Sequence, residues 1–112
     1  MKFGEIYWVD LPDRGGREQR GRRPAVIWQD TDSFHLPTIL IIPLTTRLDS
    51  LRFGGAALIQ PSPVNGLSAP SAALVFQLGA CDVRRIGNRL GRLDDADLAT
   101  LRDLAKKLQK IT

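Results

Sequence analysis

Arginine is the phosphate-binding residue type in which this chain is richest, and its densest cluster is a loop running from Arg14 to Pro24. Arg14, Arg17, Arg20, Arg22 and Arg23 stand there against two acids, Asp13 and Glu18. A guanidinium presents a planar fork of donors that meets phosphate oxygens two at a time, so such a cluster suits a polyanion. Glycines at 15, 16 and 21 let the backbone approach a ligand closely, and Pro24 ties Arg23 to the start of the next element. That makes Arg23 the best anchored of the five. The bland alternative is a solvated charge cluster that serves only solubility. The spacing from Gly16 to Gly21 imitates a nucleotide P-loop, but Arg22-Arg23 stands where that motif needs Lys and then Ser or Thr, which excludes triphosphate binding.

Other reactive types are few. Thr45 and Thr46 follow the apolar run from Ile39 to Pro43, so a hydroxyl emerges where a buried strand reaches the surface. Trp8, Phe34 and Phe53 offer rings on which a base can stack, although a strand tryptophan more often belongs to the core. His35 is the single imidazole and Cys81 the single thiol. A two-histidine ribonuclease mechanism, an intrachain disulfide and a compact Cys/His metal site are therefore excluded within one chain. Cys81 reads as structural. The expectation is a reduced, metal-free cytoplasmic protein that needs no cofactor. Its start meets Glu5 before any apolar run develops, and no stretch approaches the length of a membrane span.

These residues must be positioned by a small scaffold. The 112 residues, with 43% hydrophobic and 25% charged, suit one globular domain with one core. The formal net charge of +4 favours polyanionic partners only modestly. Glu5 to Asp10, Ala25 to Gln29, Thr38 to Leu44, Phe53 to Gln60 and Ala72 to Gln77 read as strands, with Asn65-Gly66 suited to a tight reversal between the last two. Asp82 to Arg85 is expected to form one helical turn and Ile86 to Leu93 a last strand. From Asp94 the apolar residues Leu98, Leu101, Leu104, Ala105, Leu108 and Ile111 recur at helical spacing. Asp94 is placed to cap that helix, with Asp95 and Asp97 at its positive end and Lys106, Lys107 and Lys110 at its negative end. The expected architecture is a small β-barrel closed by a C-terminal helix, whose apolar stripe serves as core or dimer interface.

The run from Gly4 to Leu11, then Gly16 to Ile27, Pro43-Leu44-Thr45-Thr46, Asn65-Gly66-Leu67 and Arg84 to Leu93, resembles the MazF/PemK toxin family over essentially the whole chain. The resemblance implies an SH3-like β-barrel (CcdB/PemK-like), a homodimer, a cognate antitoxin and sequence-selective cleavage of single-stranded RNA. It makes Arg23 and Thr45 the catalytic pair and matches Glu18 and Gln77 to further site positions. The chain departs from relatives that carry an Asp as general base where it has Phe76, so an Asp/His acid–base scheme does not transfer.

RNA can be cut by its own 2′-hydroxyl, so such an enzyme needs chiefly to orient the phosphate and neutralise charge. Arg23 suits both tasks and Thr45 suits positioning. Glu18 is the carboxylate available to accept the proton, although neighbouring arginines weaken it as a base. Arg14, Arg17, Arg20, Arg22, Gln77 and Trp8 are the candidate RNA-binding residues. Two other readings stay open: a non-catalytic nucleic-acid-binding barrel, and a gyrase-targeting toxin of the same fold.

Overall fold

The first three strands are paired in chain order because each is short, apolar and joined to the next by a connection that reverses the chain. The computed structural model describes residues 1–12, 21–32 and 35–109. Arg14, Arg17, Glu18, Arg20, Phe34, Lys110 and Ile111, on which several expectations fall, lie outside the described residues. Strands β1 (Glu5–Leu11), β2 (Gly21–Ile27), β3 (Thr38–Thr45), β4 (Ala56–Ile59), β5 (Ser71–Leu74), β6 (Gly79–Asp82) and β7 (Ile86–Arg92) are followed by helix α1 (Asp95–Gln109). They form one seven-stranded antiparallel sheet in the order β4-β5-β3-β2-β1-β7, with β6 also paired to β3.

Side-chain alternation along β1 to β3 divides the core in two. Ile6, Val26, Ile42 and Leu44 face a cluster completed by Ile59, Ala73, Val75, Leu93, Leu101 and Ala105. Val9, Leu11, Ala25, Ile27, Ile39 and Ile41 face a second cluster that includes Cys81. Both faces are covered over residues 25–27 and 41–44, which is why Ala25 to Ile27 and Ile41 to Leu44 read as unbroken apolar runs. Helix α1 covers the first cluster with Leu101 and Ala105, and Leu98 and Leu104 pack beside them. Asp94 caps the helix by accepting the Asp97 N–H at 2.9 Å, as its position in the sequence suggests.

The structure differs from the sequence expectation in four places. Strand β2 starts at Gly21, so Arg22 and Arg23 belong to it rather than to the loop. Their backbones pair with Asp10 and Val9, and a backbone ladder is indifferent to the charge of exposed side chains. Phe53 closes a 3-10 helix, Leu48–Phe53, instead of opening a strand, because Gly54 turns left-handed at φ 76° and donates its N–H to Leu51 O. Strand β5 ends at Leu74, and residues 75–77 form a 3-10 turn.

The fourth difference is β6, which hydrophobic pattern did not reveal. Leu44 lies opposite Ala73, yet Ile41, three residues away, lies opposite Gly79, six residues away. The 3-10 turn at Val75–Gln77 takes up those three extra residues beside Pro43, which has no N–H to offer a neighbouring strand. Asp82 to Arg85 does form the expected turn, with the Asp82 carboxylate accepting the Arg84 N–H.

Candidate active site

The end of the first core cluster opens into a cleft of about 160 Å³. Its walls come from β1 (Trp8), the start of β2 (Arg22, Arg23, Pro24), the end of β3 (Leu44, Thr45) with Thr46, the connection between β4 and β5 (Gly66 to Ala69) with Ser71, and β7 (Leu90). Four of the residues singled out from the sequence meet here: Trp8, Arg22, Arg23 and Thr45.

Strand pairing explains why two residues so distant in sequence converge. The β2–β3 ladder ends at Ala25 opposite Pro43, and Arg23 and Thr45, each two residues past that pair, both line the cleft. Thr45 is only 5% exposed, and Ala72 of β5 flanks it on its other side. Its Oγ1 accepts the Arg47 N–H at 3.2 Å, which leaves the hydroxyl hydrogen to be donated. Thr45 is thus more enclosed than a strand-end hydroxyl emerging at the surface, and its neighbour Thr46 is the exposed one.

Arg22 and Trp8 form the other half of the cleft. Asp10 lies opposite Arg22 and Trp8 opposite Pro24, so Arg22 and Trp8 are diagonal neighbours. The guanidinium sits 5.1 Å from the centre of the indole ring, a cation–π contact that orients it without consuming its hydrogen bonds. Trp8 is half-buried and contributes to the cleft lining. Among the described residues, the lining contains two guanidinium groups and no carboxylate or imidazole. The cleft is therefore cationic.

The remaining candidates are elsewhere or undescribed. Gln77 lines two other cavities, one with Leu11, Pro12 and Cys81 and one with Phe53 and Leu108. Phe76 is exposed and stacks edge-on against Phe53, with centroids 5.9 Å apart. His35 is exposed on the connection before β3. Cys81 is buried in the second core cluster. Among the described residues no three His, Cys, Asp or Glu side chains come together as a metal site, and no helix is long and apolar enough to cross a membrane.

Sequence reasoning missed the wall from Gly66 to Ala69. Its residues are small and uncharged, and Asn65-Gly66 suggested only a tight reversal. Asn65 is instead buried at 1% exposure in a longer connection, where its Oδ1 accepts the N–H groups of Ser62 and Leu67 and its Nδ2 donates to Gln60 O. Only a buried amide so placed turns an ordinary loop into a fixed wall.

Residues 2–111 match the family of PemK-like, MazF-like toxins of type II toxin–antitoxin systems. Endoribonuclease MazF of Staphylococcus saprophyticus is 32% identical over 96 residues, which span 85% of this chain and 79% of that protein. The crystal structure of MazF from Deinococcus radiodurans matches with a TM-score of 0.83 at 22% identity, covering 99% of this chain and 97% of that one. A MazE–MazF crystal structure from the same organism matches with a TM-score of 0.77 at 22% identity, over 100% of this chain and 97% of that one. The seven-stranded sheet with its C-terminal helix is thus the MazF fold. The chain belongs to the PemK-like, MazF-like toxins of type II toxin–antitoxin systems and is a homologue of endoribonuclease MazF.

Proposed function

We propose that this toxin is a single-domain, metal-independent endoribonuclease that cuts single-stranded RNA sequence-selectively, with Arg23 and Thr45 as its catalytic pair. The observation that carries the reading is their convergence: strands β2 and β3 bring both into the lining of one cationic cleft. The ribose 2′-oxygen attacks the adjacent phosphorus in line while its proton passes to a base. The bond to the 5′-oxygen breaks, and that oxygen takes a proton, leaving a cyclic phosphate and a 5′-hydroxyl. Arg23 donates to the non-bridging oxygens and stabilises the charge that gathers on them. The Thr45 hydroxyl, already fixed by the Arg47 N–H, donates to the phosphate and holds the in-line geometry.

The cleft lining holds no described carboxylate, so the proton acceptor in this reading is Glu18, from the segment between Pro12 and Gly21. Leu11 and Gly21 are paired, so the segment leaves β1 and enters β2 at the same end of the strand pair as Arg22 and Arg23. Arg14, Arg17, Arg20 and Arg22 hold neighbouring phosphates and Trp8 stacks on a base. Gln77 lines other cavities and acts in this reading only where RNA runs past the cleft.

The scaffold of this reading is an SH3-like barrel. The connection 60–70 supports it by lying backbone against backbone on β7, with the Arg92 N–H donating to Val64 O. The toxin is proposed to work in the cytoplasm as a homodimer. Support comes from an apolar face on which Leu40 (39%), Phe53 (55%), Phe76 (42%) and Leu108 (45%) stay exposed. Its cognate antitoxin is proposed to lay an acidic flexible segment along the cationic cleft and exclude RNA.

Incubation of long single-stranded RNA with the protein and a chelator tests the reading. Discrete products with 5′-hydroxyl ends are expected, and Arg23→Ala is expected to lower the rate by about 100- to 1000-fold with an unchanged melting transition. RNA that is bound but left uncut by folded wild-type protein refutes it.

A further inference from the structure

Arginine contacts to phosphate hold RNA in register but carry no base information. The cleft lining combines the charged groups Arg22 and Arg23 with an uncharged stretch formed by Gly66, Leu67, Ser68, Ala69 and Ser71. We infer that the segment Gly66 to Ala69 is a rigid wall that selects the nucleotide beside the scissile phosphate, and that Asn65 is the positioning residue that holds it. This rests on the endoribonuclease reading above.

The wall is clamped from three sides. Asn65 sits beneath it, accepting the Ser62 N–H at 3.1 Å and the Leu67 N–H at 3.0 Å and donating to Gln60 O at 2.8 Å. The Ser62 hydroxyl accepts the N–H groups of Val64 and Asn65 at 3.3 and 3.2 Å. At the far end, buried Ser71 donates to Ala69 O at 3.1 Å. Against β7 the approach is so close that side chains are impossible: a Cβ on Gly66 would lie 2.2 Å from Leu90 O, and one on Gly91 would lie 2.3 Å from Val64 O. Gly66 also has φ +70°, which an L side chain rarely adopts.

A wall held this way cannot retreat from a base of the wrong shape. A flexible loop of the same composition would adapt to any base and would select nothing. Apart from Thr45 and Thr46, this segment supplies the uncharged hydrogen-bonding surface of the cleft among the described residues, with Ser68 exposed at its centre.

The test compares the full set of 5′-hydroxyl ends that the wild-type protein and its variants produce from a transcriptome digest. Asn65→Ala removes the partner of three backbone groups and is expected to lower kcat/KM at the preferred sites at least tenfold while broadening the set of sites cut. Asn65→Asp keeps both acceptor bonds but sets a carboxylate oxygen against Gln60 O in place of the Nδ2 donor, so it is expected to broaden the set of sites as Asn65→Ala does. Ser68→Leu, at an exposed position, is expected to change the preferred nucleotide without changing the melting transition. If Asn65→Ala does not fold, Ser68→Leu decides. The inference is overturned if each folded variant among Asn65→Ala and Ser68→Leu cuts the wild-type sites in the wild-type order. A wild-type protein that cuts no RNA refutes the nuclease reading instead, so the two failures are distinguishable.

Discussion

Thr45→Val isolates what one hydroxyl contributes, because valine has nearly the same shape and Thr45 is only 5% exposed. The substitution removes two things: an acceptor for the Arg47 N–H at 3.2 Å, and a donor to the scissile phosphate. The first is a neutral, part-buried hydrogen bond, worth about 1 kcal/mol of stability, which corresponds to a melting shift of about 4 °C. The second is a hydrogen bond to a charged oxygen, worth about 1.5–3 kcal/mol, or roughly 10- to 150-fold in kcat/KM. Arg23 and the cation–π-held Arg22 are untouched, so binding of uncleaved RNA should stay within about threefold of wild type, equivalent to less than about 0.7 kcal/mol. Initial rates on a short fluorogenic RNA, with binding measured on a 2′-deoxy version of it, separate these effects. Thr45→Ser, which keeps the hydroxyl, should recover most of the rate. A Thr45→Val rate within twofold of wild type refutes the assignment of Thr45 to the phosphate.

Leu101 is fully buried in the helix-covered cluster, so Leu101→Ala should cost about 2–5 kcal/mol in chemical denaturation; a loss under about 1 kcal/mol would show that α1 is peripheral to the core. Leu108→Glu puts a charge on the exposed apolar face and should convert the proposed homodimer to folded monomers in sedimentation experiments; a dimer that persists would place the interface elsewhere. Glu5 illustrates the pH dependence: burial raises its carboxyl pKa, but the Arg89 side chain at 2.5 Å and the Lys2 N–H outweigh that and hold it below the ordinary value of 4.5. A depressed folded pKa contributes stability that is present above pH 4.5 and lost as pH falls through the folded pKa. Glu5→Gln should therefore flatten the acid limb of the stability–pH curve, and an unchanged limb would contradict that linkage.

The apolar face of Leu40, Phe53, Phe76 and Leu108 gives the departure at Phe76 a physical context. The family resemblance of the sequence implies a carboxylate at this place; here a phenyl ring packs against Phe53. The position lies outside the Arg23–Thr45 cleft of the same chain, whose described polar side chains are two arginines, four hydroxyls and the Trp8 indole.

What the amino-acid sequence determined by itself is whatever local order and periodicity encode. The unbroken apolar runs of β2 and β3, the 3.6-residue stripe of α1 and its Asp94 cap, and the turn at Asp82 all rest on neighbours in the chain. Arg23 was also legible, since its anchor is the adjacent Pro24. Tertiary structure decided the rest, because the deciding partners are remote. Arg22 and Arg23 are strand residues only because β1 pairs with them, and β6 exists only because β3 offers it an edge. Thr45 became part of a site because the pairing of β2 with β3 carries it and Arg23 into the lining of one cleft. Asn65-Gly66 looked like a simple reversal, yet burial of one amide and contact with β7 made it the support of a cleft wall. Hydrogen bonds and close contacts between distant segments leave no periodic trace in sequence, so their consequences appear only once the chain is folded.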